Sequence, residues 1–73
     1  MKNSKKKKDK LELFGENLAA LRKEAGLTQE KLAEKIDVDA RTVQKFEAGE
    51  ANITLLNIYA LADALKVKPG DLI

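Results

Sequence analysis

The stretch Leu27-Thr28-Gln29-Glu30-Lys31-Leu32-Ala33-Glu34-Lys35-Ile36-Asp37-Val38-Asp39-Ala40-Arg41-Thr42-Val43-Gln44-Lys45-Phe46-Glu47-Ala48-Gly49 decides the fold. Leu32, Ala33 and Ile36 recur at helical spacing, and Thr28 stands ahead of them with a hydroxyl that can accept from an orphan amide of a first turn. This predicts a short helix. Asp37-Val38-Asp39 then places two poor helix formers around one apolar anchor, and Asp39 is a good N-cap for a second helix. That helix runs from Ala40 toward Ala48, with Val43, Phe46 and Glu47 turned inward and Gly49 as its stop. Two short helices joined by a turn of about three or four residues form the helix-turn-helix arrangement. Many helical bundles contain such a corner, so the pattern by itself suggests DNA binding without requiring it.

Upstream, Phe14, Leu18, Leu21 and Ala25 recur at spacings of four, three and four, which puts them on one helical stripe that Gly26 ends. Downstream, Thr54 caps a helix whose core stripe is Leu55, Ile58, Leu61, Ala62 and Leu65. Pro69 suits the first position of a last short turn carrying Leu72 and Ile73. No strand signal and no repeat interrupts this all-helical pattern. Residues 1–10 lack a hydrophobic face and carry Lys2, Lys5, Lys6, Lys7, Lys8 and Lys10 against Asp9, so they are expected to form a flexible arm ahead of one domain spanning residues 11–73.

Composition removes most other functions. A chain of 73 residues has room for one core, and with no Cys and no His it has no thiolate, imidazole base or soft-metal ligand. The sole serine, Ser4, lies inside the lysine run with no base beside it. The expectation is therefore a protein that is not an enzyme, with no metal and no cofactor. The net charge of +2 divides into +5 for residues 1–10 and −3 for the rest, so the body is mildly acidic. Asp9, Lys10, Glu12 and Glu16 interrupt the apolar stretch that a signal peptide would need after its cationic start. No run approaches the ~20 apolar residues of a membrane span, so a soluble, cytoplasmic protein without a membrane partner is expected.

The run from Leu27 to Ile36, then Val38, Arg41-Thr42-Val43, Phe46-Glu47 and Gly49, closely resembles the phage-repressor-like helix-turn-helix family, the Cro/repressor or XRE class. The likeness continues through Asn52-Ile53-Thr54-Leu55 and Ala62-Asp63-Ala64-Leu65-Lys66-Val67 to Asp71-Leu72. The resemblance implies an all-α, five-helix bundle with the helix-turn-helix at helices two and three, the third entering the major groove of double-stranded DNA, commonly as a homodimer on a palindromic operator. Small chains of this kind look like repressors, controller proteins or antitoxins. Carried over by position, the groove-facing residues are Ala40, Arg41 and Lys45, with Asp39 and Thr42 alongside. Arg41 is the best base reader, because its planar fork can donate two hydrogen bonds to guanine O6 and N7. Gln29 matches a family position that holds a phosphate, helped by Thr28 and the free amides of that helix start, and Asn52 matches one where the following loop nears the backbone. Arg22 and Glu47 correspond to a paired arginine and glutamate that bridges helices one and three.

Departures from the family pattern shape the expectations. Asp37 stands where glycine is common, Ala48 and Glu50 stand where polar or basic residues often meet phosphate, and helix three sets Arg41 and Lys45 against Asp39 and Glu47, a neutral balance. Backbone affinity from the body should be modest, with the lysine arm restoring it through counterion release. The same neutrality favours an alternative function, a module on this fold that binds a protein partner. Helix four carries more apolar residues than one core stripe needs. Leu56, Tyr59 and Ala60, with Ile73 of the final turn, make a candidate homodimer surface.

Overall fold

The computed structural model describes residues 9–73, and the expected arm, apart from its last two residues, lies outside them. Five helices run in order: α1 (Lys10–Glu24), α2 (Gln29–Ile36), α3 (Ala40–Ala48), α4 (Leu55–Leu65) and α5 (Pro69–Leu72). No strand occurs among the described residues. The expected boundary between arm and domain shifts, because Asp9 and Lys10 already belong to α1 and its cap. Asp9 Oδ1 accepts from the Glu12 amide at 2.9 Å, and Glu12 Oε1 accepts from the Asp9 amide at 3.1 Å. This reciprocal cap satisfies two backbone donors and starts the helix one residue before its first apolar side chain.

Every helix contributes to one core: Leu18 from α1, Leu32 and Ala33 from α2, Val43 and Phe46 from α3, Leu61, Ala62 and Leu65 from α4, and Leu72 from α5. Two residues expected in the apolar stripes lie elsewhere. Ala25 is the C-cap of α1 and exposed, because the chain has already left the helical face there. Leu55, the first residue of α4, is 62% exposed, since Ile58, Leu61, Ala62 and Leu65 already fill the face turned to the core.

The helices sit close where side chains are absent. A Cβ on Gly15 would fall 2.6 Å from the Phe46 carbonyl oxygen and nearer still to that of Glu47, so α1 rests directly on the backbone of the last turn of α3. Gly49 combines a left-handed φ of 73° with a Cβ position 2.8 Å from Glu12 Cα, which leaves room only for hydrogen. These contacts fix how far α3 can stand from α1.

Candidate nucleic-acid interface

The turn between α2 and α3 is built by short caps. Lys31 N donates to Thr28 Oγ1 at 3.0 Å and closes the first turn of α2. Asp37 ends α2 in the left-handed region, with φ 62° and ψ 47°, a conformation that asparagine and aspartate tolerate better than other side chains. Asp39 occupies the N-cap position of α3, as its place in the chain implied, but its side chain makes no capping hydrogen bond. Its exposed carboxylate is left facing solvent beside the first turn.

Val43 and Phe46 anchor α3 in the core, and Ala40 and Thr42 are half-buried, with Ala40 packed against the core. The outer face carries exposed Arg41, Gln44, Lys45 and Ala48. The helical period places Arg41 and Ala48 nearly opposite the core, with Gln44 and Lys45 on either flank. Gln44 is not among the groove-facing positions that the family resemblance implies, yet it shares the exposed face with them. The sequence pattern carries its signal: it is a polar residue one position past Val43, on a helix whose inward stripe is Val43 and Phe46.

Glu47 faces the other way. Its Oε2 accepts from Arg22 Nε at 2.6 Å, and its Oε1 accepts from Arg22 Nη2 at 3.1 Å and from Gln29 Nε2 at 2.9 Å. Arg22 Nη1 also donates to the Leu27 carbonyl at 2.9 Å. The side chains of Arg22 and Glu47 are only 11% and 8% exposed. The hydrogen bond to Glu47 is the main reason the guanidinium is held above its ordinary pKa, with burial opposing, so Arg22 stays charged. A planar guanidinium meeting a carboxylate in two parallel bonds fixes both position and orientation. The pair thereby ties α1, the loop before α2 and the last turn of α3 into one unit.

This geometry revises the charge of the recognition surface. Glu47 is neutralised by Arg22 beneath α3, so among the charges of α3 and its N-cap the outer face presents Arg41 and Lys45 against Asp39, with Glu50 exposed just past the helix end. Thr28 and Gln29 stand at the start of α2, where the first amides of a helix favour an anion. Asn52 is exposed in the loop between α3 and α4.

A helix-turn-helix family model matches residues 18–72, spanning all of this geometry. The chain belongs to that family, in its Cro/repressor (XRE) class. It is a DNA-binding transcriptional regulator and not an enzyme. The helix-turn-helix chain is 37% identical over 65 residues to the uncharacterized HTH-type transcriptional regulator y4dJ of Sinorhizobium fredii, covering 89% of this chain and 84% of that one. It is 36% identical over 62 residues to control protein C.BamHI of Bacillus amyloliquefaciens, covering 84% and 76%. Among solved structures, the restriction-modification controller protein C.AhdI of Aeromonas hydrophila superposes with a TM-score of 0.84 at 41% identity, covering 86% of this chain and 96% of that one.

Proposed function

We propose that this regulator is repressor- or controller-like, works in the cytoplasm, and reads a palindromic operator in double-stranded DNA as a homodimer. The observation that carries the reading is the outer face of α3, where Arg41 and Lys45 are exposed while the helix's own glutamate is locked beneath it. Arg41 takes guanine through its two-pronged fork, and Lys45, one turn on, takes a base edge or a phosphate. Asp39 and Thr42 border this surface, and Ala40 adds a methyl group at its edge. Thr28, Gln29 and Asn52 hold the backbone and set register. With Glu47 removed from the exposed charge, the argument for a protein partner in place of DNA loses its main support.

Pairing of two copies is supported by the apolar surface of α4. Leu56 is 77% exposed and Tyr59 half exposed, with Leu55 beside them and half-buried Ala60 one turn from Leu56. Ile73, 81% exposed, borders a groove between α1 and α5 that Leu13, Phe14 and Leu72 also line. Selection of bound sites from a random duplex library, followed by sequencing, tests the whole reading. The expected product is a two-fold symmetric site with half-site centres about 34 Å apart, one helical turn of DNA. Recovery of no enriched sequence would refute it.

A further inference from the structure

The glutamate under α3 has one more hydrogen bond than a bridge between two helices needs. Arg22 engages both oxygens of Glu47, yet Oε1 also accepts from Gln29 Nε2. Gln29 is the first residue of α2 and is half-buried, so part of the residue is open to solvent. An amide nitrogen carries two N–H donors. One is committed to Glu47, and no described residue takes the other.

From this we infer that Glu47 is a positioning residue for the DNA backbone, holding the Gln29 amide so that its second N–H is presented to a phosphate at the start of α2. The inference rests on the reading of Gln29 as a phosphate contact. Glu47 belongs to the last turn of the recognition helix, so one carboxylate links the grip on the backbone to the pose of the base-reading surface. A free glutamine has three side-chain torsions to immobilise on binding, whereas one already hydrogen-bonded to a nearly buried carboxylate has most of that ordering done. The expected advantage is about three- to tenfold in affinity. A neutral amide releases no counterion, so this contribution acts on every duplex equally and leaves the salt dependence unchanged, unlike that of a lysine.

A double-mutant cycle on affinity for a random-sequence duplex, at fixed salt and with folding verified by circular dichroism, tests the coupling. One arm is Gln29→Ala. The other is Arg22→Met with Glu47→Leu, which removes both charges together and leaves Gln29 without its acceptor. The expected result is a three- to tenfold loss from Gln29→Ala in the wild-type background and little loss in the background lacking Glu47. Equal losses in both would overturn the inference while leaving Gln29 as a phosphate contact. No loss in the wild-type background would overturn the phosphate reading itself. If the charge-free background fails to fold, the Gln29 side-chain amide of the wild-type protein gives the answer by NMR. One of its protons should exchange slowly in the free protein and the other should shift on addition of duplex; fast exchange of both protons in the free protein would refute the role of Glu47.

Discussion

Arg41 and Glu47 lie on the same nine-residue helix and have opposite surroundings. Arg41 is exposed and makes no ion pair with a described residue, so its substitution should separate recognition from stability. Arg41→Ala is expected to erase preference for the selected site at one base pair per half-site, a loss of about 1–3 kcal/mol of discrimination, with the melting temperature unchanged. Competition binding with single-base variants measures it, and an unaltered preference would refute the assignment. The partner of Glu47 behaves in the reverse sense. Arg22→Ala strands a carboxylate among nearly buried groups and should cost about 3–5 kcal/mol of folding stability, read from the urea midpoint. Since small domains have only about 5–15 kcal/mol in total, such a variant should be partly unfolded near body temperature.

At the level of elements, the turn and the last helix are the places where local rules bend. Asp37 holds a left-handed φ of 62° at the end of α2, where a side chain is strained and glycine is not. Asp37→Gly should therefore stabilise the protein by about 0.5–1 kcal/mol. A rise of a few degrees in melting temperature is the expected reading, and a fall would mean that the aspartate makes a compensating contact. Helix α5 has four residues and would not persist alone, yet its Leu72 is fully buried. Asn17 Nδ2 donates to the Asp71 carbonyl at 2.7 Å and ties that turn to α1. Leu72→Ala should cost about 2–5 kcal/mol, as for a residue in the middle of the core, although α5 is a single turn. Chemical denaturation of the variant checks this, and a change below about 1 kcal/mol would place α5 outside the cooperative unit.

For the whole molecule the question is how two recognition helices are spaced. One α3 covers few base pairs, and a two-fold dimer that presents two on successive turns gives the operator a length that chance sequence rarely matches. Leu56→Glu places like charges near the symmetry axis of the proposed contact and should yield folded monomers that bind a half-site almost as the wild type does but lose affinity for the full site. Sedimentation at micromolar concentration and titration of both duplexes provide the measurement. A variant that remains dimeric, or a wild-type chain that is already monomeric, would refute this interface and leave the role of α3 intact.

The helices, their order and the turn between α2 and α3 were legible in the residue pattern, because apolar period and capping residues act within a few positions of chain. Thr28, Thr54 and Gly49 perform as caps where the pattern put them. The family positions also named Arg22 and Glu47 as a pair. What the chain alone left undecided depends on contacts between residues far apart in it. Leu55 and Leu61 have the same side chain on one helix, and only the arrangement of the other helices leaves the first exposed and buries the second completely. Gly15 reads as an ordinary helix residue until α3 is laid against it and its missing Cβ becomes the clearance between the two backbones. The charge of the recognition face obeys the same logic. A sequence counts Glu47 with Asp39, whereas packing carries Glu47 to Arg22, 25 residues away, and takes its charge off the outer surface. Local propensities set which segments are helical; the direction each polar group finally faces was settled by the helices that closed over it.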